Sequence, residues 1–591
     1  MAQSSKKDGL IIQAGILATA GILCRIIGLL YRSPLTAVIG DEGNGYYQTA
    51  YTVYSLVLLI SSYSIPSAIS KVIAQRLSIR DYRNAHRIFL CSLFYVLAVG
   101  GVASLVLFFG ADFLAKGPAA TVLRIFAPTV FLYGIMGVLR GYFQAHRTMV
   151  QTSVSQILEQ IVNAVVSIGA AYLVLLFVFG STRTYTLLED GQVSFAGEIL
   201  EEKAAVQLLE DGSEVYALSA EQLDWNTKHA TYGAIGSALG TGAGVLAALL
   251  FMLWIYRLNA ETLYRRMKKD RHRPENYGSI LKIISSVVIP FILSTAIYNI
   301  CNFINQTIYY KICAIKGIGN VETATRYGIF SGKALVIYNI PIALSTAMAS
   351  AVLPTVSAKA GQGDYEGARV KTAQAVKTIM LIAIPATVGI GVLARPITWL
   401  LFPQRASVDM ASRLLTALAA SIVLDSLSTL TNSVLQGIGR VKTPVYNAAA
   451  ALAIQTAVIA GLLYFTELDL YGMVIAMLVY SGCMCMLNLL SVRKYLNYDQ
   501  EIFRTVVTPF VSAAFMGVTV YGIYRGIAAL LGGGEYPSLL QNALALFPSV
   551  AVGAIVYFVL ELLLKGITKE ELYALPKGGL LVKLAEKCRL L

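Results

Sequence analysis

Charged residues are scarce, making up 14% of this 591-residue chain against about 25% in an ordinary soluble domain. That excludes one soluble globular fold: a soluble chain of this length would split into about four domains, and no linker-like stretch divides it. Only four histidines occur (His86, His146, His229 and His272), all in polar segments or at the edges of apolar ones, so neither a membrane-embedded histidine metal cluster nor a Ser-His-Asp triad can be assembled. There is no Gly-x-x-x-x-Gly-Lys-Ser/Thr phosphate loop. The seven cysteines (Cys24, Cys91, Cys301, Cys313, Cys483, Cys485 and Cys588) have neither disulfide nor zinc-ligand spacing and read as core thiols. Nothing here argues for an enzyme, and neither a metal site nor a bound cofactor is expected.

What is abundant is apolar residue, 56% of the chain, gathered in blocks long enough to cross about 30 Å of hydrocarbon. Fourteen such blocks predict an all-α polytopic membrane protein, with spans near 9–31, 47–70, 88–109, 120–139, 152–180, 230–256, 279–310, 328–355, 374–400, 409–436, 444–465, 469–491, 505–531 and 541–564. The formal charge of +14 could suggest nucleic acid, but the bases sit between the blocks. The termini and even-numbered connections, with Lys282 and Lys377 at adjoining span ends, carry 32 of the 47 Lys/Arg, so the positive-inside rule predicts a multi-pass protein of the bacterial plasma membrane with both termini cytoplasmic. The first block follows Lys6 and Lys7, is longer than a signal peptide's core and lacks a persuasive cleavage site, so it is expected to stay as an anchor.

Two ordered motif pairs point to an internal repeat. Asp81-Tyr82-Arg83-Asn84-Ala85 recurs as Asp364-Tyr365-Glu366-Gly367-Ala368, an offset of 283, and Leu139-Arg140-Gly141 recurs as Leu435-Gln436-Gly437, an offset of 296. The expected organisation is an N-terminal six-helix lobe (1–256), a basic cytoplasmic linker (257–278), a parallel C-terminal six-helix lobe (279–491), two further helices (505–564) and a cytoplasmic tail (565–591). Residues 181–230 form an extracytoplasmic insert with ten acids and three bases. Within it Leu187-Leu188-Glu189-Asp190-Gly191 recurs as Leu208-Leu209-Glu210-Asp211-Gly212, and the Asp-Gly pairs predict hairpins in a small β-rich cap. No EF-hand spacing supports a calcium site, so the acids read as a solvated surface.

Parallel bundles of this kind are the usual build of secondary transporters, and ionisable residues inside spans mark their candidate sites. Arg25 and Arg32 are spaced i, i+7 in span 1, about 10 Å apart on one helix face. Arg326 and Lys333 repeat the spacing at the start of span 8. Four such cations suit a substrate bearing two or more phosphate charges, and interface snorkelling is the bland reading of Arg32 and Arg326. Glu159 in span 5 and Asp425 in span 10 are in-span acids open either to a structural pairing or to a coupling proton or sodium ion. Asn299, Asn302 and Asn305 form a polar stripe in span 7 that fits interhelical hydrogen bonding and ion coordination equally.

The stretch from Arg25 to Arg32 through Gly40-Asp41-Glu42-Gly43-Asn44-Gly45-Tyr46, with the Arg80–Arg87 loop, resembles the stage V sporulation protein B and polysaccharide-exporter branch of the multidrug/oligosaccharidyl-lipid/polysaccharide (MOP) exporter superfamily. Lys333 to Lys377, with Pro341 and Leu353-Pro354-Thr355-Val356-Ser357, and Gly439-Arg440-Val441-Lys442-Thr443-Pro444 are similar to the superfamily's lipid II flippases. The resemblance covers essentially the whole chain outside 181–230. It implies a V-shaped, fourteen-helix flippase that moves an undecaprenyl-pyrophosphate-linked cell-wall precursor across the plasma membrane by alternating access. The driving force would be the membrane potential, sodium or protons, and the partners the lipid bilayer, the lipid-linked saccharide and the cell-wall synthesis machinery. Arg25 and Arg32 match the family's first-helix arginines. An arginine late in its second helix is replaced by Ser61-Ser62-Tyr63-Ser64, which relocates that contact to Lys333. Helices 13 and 14 fit the family's lipid-tail groove. Teichoic-acid, capsule or spore-cortex precursors, a drug/cation antiporter on the same fold and a non-transporting scaffold are the competing readings.

Overall fold

The computed structural model describes residues 19–567, apart from 64, 147, 188–191, 196–197, 204, 209–213, 271, 533 and 535, together with 569 and 582. Lys6, Lys7, Arg271, Cys588 and most of the tail lie outside these residues. The chain divides into two compact units, Met1–Gly328 and Ile329–Leu591.

The first unit holds α1 (Thr19–Leu30), α2 (Arg32–Leu58), α3 (Ile65–Ser78), α4 (Tyr82–Phe109), α5 (Ala111–Leu114), α6 (Pro118–Ala145), α7 (Met149–Phe179), β1 to β5 (Tyr185–Leu187, Gln192–Phe195, Glu198–Lys203, Ala205–Leu208, Glu214–Ala217), α8 (Ala220–Lys268), α9 (Tyr277–Ile315) and α10 (Asn320–Ile329), whose last residue touches the division. The second holds α11 (Leu335–Gly361), α12 (Tyr365–Val392), α13 (Ala394–Leu401), α14 (Arg405–Ala419), α15 (Ser421–Gly437), α16 (Lys442–Phe465), α17 (Leu470–Leu496), α18 (Thr508–Leu530) and α19 (Leu539–Leu563). Among the described residues ten helices are long and apolar enough to span a membrane, or twelve with two bent pairs counted as one span each. Where described, all fourteen apolar blocks fall largely on helix. One of the bent pairs, α1 with the stretch from Arg32 to Ser61, holds the described part of the block expected as span 1 and the first part of the block expected as span 2.

The boundary between those two blocks differs from expectation. A connection was expected over 32–46, yet α2 starts at Arg32 and breaks only at Gly40, where φ is 71° and ψ 177°. Glycine alone takes that conformation cheaply. Past the bend between α1 and α2 the chain stays helical to Ile39, so Arg32 opens a helical segment instead of ending one.

In the first unit, Phe126, Tyr47 and Tyr54 centre one buried cluster with Leu123 and Val130, and Ile73, Ile88, Leu139 and Met252 centre another. The lobe expected to open at 279 does not begin there, because α9 and α10 pack into this first unit. Thr49 and Tyr310 hydroxyls meet at 2.7 Å, Gln306 donates to the Thr49 carbonyl at 3.1 Å, and Asn44 donates to the Gly328 carbonyl at 3.3 Å. Gly45 lies directly against the Ala324 backbone, leaving no space for a side chain. The linker likewise begins later than expected, since α8 stays helical to Lys268 and basic residues fill its last turn, where cations meet the negative end of the helix dipole.

The repeat is visible in the local geometry of each unit. Arg80 (φ 61°) and Gly363 (φ 76°) are 283 residues apart in the left-handed region. The next residues, Asp81 and Asp364, cap α4 and α12 by accepting from the N–H of Asn84 and Gly367 at 3.1 and 2.7 Å. Each aspartate also meets the cation five residues earlier, Arg76 at 3.9 Å and Lys359 at 2.8 Å. In the second motif Gly141 packs on the Pro66 backbone and Gly437 on Leu353 and Val356. The second unit's core gathers Ile379, Leu430, Val434 and Val492.

In the insert, β1 pairs antiparallel with β2, with Leu187 opposite Val193, and β4 with β5, with Leu208 opposite Glu214. The expected Asp-Gly turns lie outside the described residues. Asn226 holds Tyr185 through two 2.9 Å hydrogen bonds, so α8 anchors the first strand.

A buried joint ties the segment after α8 to the start of α4. Asp270 accepts from the Arg83 N–H at 2.8 Å, the His272 N–H at 2.9 Å and the His272 ring at 2.6 Å. Asn84 donates to Asp81 at 2.9 Å and to the Arg273 carbonyl at 3.0 Å, and accepts from the Glu275 N–H at 2.8 Å. Desolvation alone would raise the Asp270 carboxyl, but these donors outweigh it and bring it down to about 2.

Two outcomes follow. Gly141→Ala places a Cβ 2.7 Å from the Pro66 carbonyl oxygen and is expected to cost ~1–3 kcal/mol in detergent unfolding, whereas Gly169→Ala, with nothing within 4 Å, should be neutral or slightly stabilising. Because the Asp270 carboxyl is depressed in the folded state, the joint's contribution is present above the ordinary aspartate range and is lost as pH falls from about 4 to about 2. Asp270→Asn should flatten that part of the stability curve.

Candidate functional site

The first-unit candidates occupy different surroundings. A 46° bend separates α1 from α2, so Arg25 and Arg32 do not share one straight helical face as the i, i+7 spacing suggested. The bend lies at Tyr31, which still accepts from the Leu35 N–H at 3.1 Å. Arg25 is exposed and Arg32 half-buried. Arg326 is half-buried in the last turn of α10 and pairs with Glu322 one turn earlier.

Lys333 lies in the second unit, within a π-helical turn, Phe330–Ala334, that precedes α11. Insertion of a π turn breaks the register that the i, i+7 match to Arg326 assumed. Its side chain is fully buried, and its ammonium donates to Gln404 Oε1 and Ser407 Oγ. Gln404 caps α14 and Ser407 sits in its first turn; both read as unremarkable loop residues in the sequence.

Glu159 has a partner. Arg140, 5% exposed near the end of α6, forms an ion pair with it at 2.7 Å and donates through Nε to Ser155 at 2.9 Å. This takes up Glu159 in holding α6 to α7, the structural alternative. Arg140 was legible only as part of the Leu139-Arg140-Gly141 repeat, since 19 residues separate it from its partner.

Asp425 is half-buried on α15 and accepts from Tyr338 Oη and from Ser481 Oγ, the latter at 2.5 Å. One residue on, Ser426 accepts from Ser345 at 2.9 Å. Farther along α15 and α17, Asn488 donates to Asn432 at 2.8 Å and accepts from Asn447 at 2.8 Å. These asparagines within apolar blocks were the overlooked signal of a polar seam in the second unit. The span 7 stripe is not uniform: Asn302 is exposed, Asn305 is buried with its Oδ1 unpartnered, and the side chain of Asn299 lies outside the described residues.

Among the described residues one trio, Asp81, Asp270 and His272, brings metal-type ligand atoms within 4.8 Å of one another. The N–H groups, amide and imidazole of the linker joint already occupy both carboxylates, so the trio reads as structure.

Residues 11–188 match the family model for polysaccharide biosynthesis proteins and residues 331–462 that for MatE. Among curated proteins the chain is 22% identical to the lipid II flippase MurJ of Bacillus subtilis, over 92% of this chain and 93% of that one. It is also 22% identical to stage V sporulation protein B of the same organism, over 96% and 98%. Among solved structures it superposes on lipid II flippase MurJ in an inward closed conformation with a TM-score of 0.61 at 12% identity, covering 92% of this chain and 97% of that one. An inward-facing MATE family transporter of the MOP superfamily gives 0.57 at 16% identity, covering 83% and 98%.

This ion pair, with Arg140 buried and Glu159 half-buried, supplies a prediction of its own. Arg140→Ala or Glu159→Ala alone strands a charge and should cost up to ~3–5 kcal/mol in detergent unfolding, whereas Arg140→Met combined with Glu159→Leu should recover most of it.

Proposed function

We propose that this MOP-superfamily transporter, homologous along nearly its whole length to the lipid II flippase and to stage V sporulation protein B, flips an undecaprenyl-pyrophosphate-linked saccharide outward across the plasma membrane. The observation that carries the reading is a half-buried arginine, Arg32, at the bend between α1 and α2 and eight residues before the Gly40 break, in a chain whose relatives carry names of lipid-precursor transport and sporulation. A diphosphate headgroup cannot cross hydrocarbon unaided, and guanidinium groups bind its oxygens through paired hydrogen bonds. Arg25, Arg32, Arg326 and Lys333 are the cations assigned to it during the cycle, while the polyprenyl tail stays in lipid. With both termini cytoplasmic, an inside-negative potential favours outward movement by roughly 2.3 kcal/mol per charge per 100 mV.

Asp425, bonded to two hydroxyls, and Asn302 are the residues assigned to a coupling proton or sodium ion; Glu159 is left to Arg140. Asp425 also supports a second reading, a drug/cation antiporter, which the MATE likeness favours at the level of fold. The family's cell-wall role extends the proposal to lipid II itself and to contact with the synthesis machinery.

Depletion of the protein should lower the amount of lipid II cleaved by an externally added lipid II-degrading toxin, and Arg25→Ala and Arg32→Ala should fail to restore it by tenfold or more. Asp425→Asn should slow transport while leaving substrate binding intact. Unchanged toxin-accessible lipid II with lost export of another polyprenyl-linked polymer would move the substrate to a teichoic-acid, capsule or spore-cortex precursor. Loss of cationic-dye efflux alone would establish the antiporter.

A further inference from the structure

The last turns of α8 form a feature that transport leaves unexplained. At 49 residues and 1.5 Å per residue the helix is about 73 Å long, more than twice the ~30 Å hydrocarbon thickness, so its end stands clear of the span. Over residues 257–269 it exposes Arg257, Arg265, Arg266, Lys268 and Lys269 against one acid, Glu261, which pairs with Arg265 at 2.5 Å.

At about 100° per residue, Arg257, Arg265, Lys268 and Lys269, the residue after the helix, share one arc of about 120° that also holds Glu261, whose charge Arg265 offsets. Tyr256, Ala260, Tyr264 and Met267 occupy the adjoining arc. With Glu261 and His86 of α4, these four line a cavity of about 420 Å³. His86 Nδ1 is buried there without a hydrogen-bond partner. Trp254 and Tyr264 are 58% and 63% exposed, the placement amphipathic rings take at a membrane surface. The walls are fixed by the linker joint, with Arg83 Nε donating to the Met267 carbonyl at 3.3 Å.

We propose that this pocket binds an anionic phospholipid of the inner leaflet, its phosphate against the cationic arc and its glycerol and first acyl carbons against the tyrosine and methionine wall. A free anion would leave the apolar wall unused, and a zwitterionic lipid would gain less from the cations. The site is separate from the transported headgroup, and its test does not depend on transport.

The full-length protein, purified in non-ionic detergent, is offered dioleoyl phosphatidylglycerol or dioleoyl phosphatidylcholine, and retention is read by native mass spectrometry. The wild type should retain phosphatidylglycerol at least tenfold better. Lys268→Gln with Lys269→Gln should weaken that lipid roughly 25-fold, about fivefold for each lost charge, without changing phosphatidylcholine. Tyr264→Ala should weaken both lipids. Lys442→Gln, at another basic connection, should change neither. Should the double variant lower the melting temperature, Arg257→Gln is read in its place, with about fivefold expected. Equal retention of the two lipids, an effect of Lys442→Gln equal to that of the double variant, or full displacement by millimolar inorganic phosphate would overturn the proposal.

Discussion

The cost of placing charge in hydrocarbon organises this molecule. With so few charges inside the apolar blocks, the partners that the protein gives them help decide which helices are held together. Arg140 and Glu159 join α6 to α7 in the first unit. In the second, Asp425 collects hydroxyls from α11 and α17, and Lys333 draws on the cap of α14. Most of the remaining bases lie between the apolar blocks or in the termini. One physical rule thus accounts for the scarcity of charge, for its distribution and for the positions at which helices meet through side chains instead of through apolar packing.

The repeat shows what divergence does to a shared element. Asp81 and Asp364 sit in matching turns with matching caps and cations, yet Asn84 and Arg87 in the first unit correspond to Gly367 and Val370 in the second. Asn84 bonds the linker at Arg273 and Glu275, and Arg87 reaches the Glu275 carbonyl at 2.7 Å and lies over Tyr277. Gly367 has no side chain to offer, and Val370 no donor. The same helix start is therefore a docking point in one unit and a plain cap in the other. That difference explains why the linker is fastened to the first unit.

The helical class and the apolar blocks were legible because burial in lipid leaves a composition signal that needs no partner. The repeat was legible because its turn needs an aspartate cap at a fixed place. Three features were not. The pairing of Arg140 with Glu159 depends on two helices meeting, which spacing along one chain cannot encode. The packing of α9 and α10 with α2 depends on Gly45 lying against Ala324, and a glycine in an apolar run reads equally as a bend or a close contact. The true end of the first helical stretch depends on one residue, Gly40, among several nearby glycines, and only its backbone angles single it out.

That last correction bears most on function. An arginine at the end of a span is ordinarily explained by snorkelling to the interface, and the block ending at residue 31 placed Arg32 there. The helix instead continues to Ile39, so about 12 Å of helix separates Arg32 from the break, too far for the side chain to follow the helix axis to its end. Arg32 is half-buried, and Tyr31 beside it belongs to a buried cluster with Leu35 and Ile39. A half-buried cation beside apolar packing needs polar groups or water to face. Of the two first-helix arginines, Arg32 is thus the more enclosed, although sequence had offered for it the stronger bland explanation.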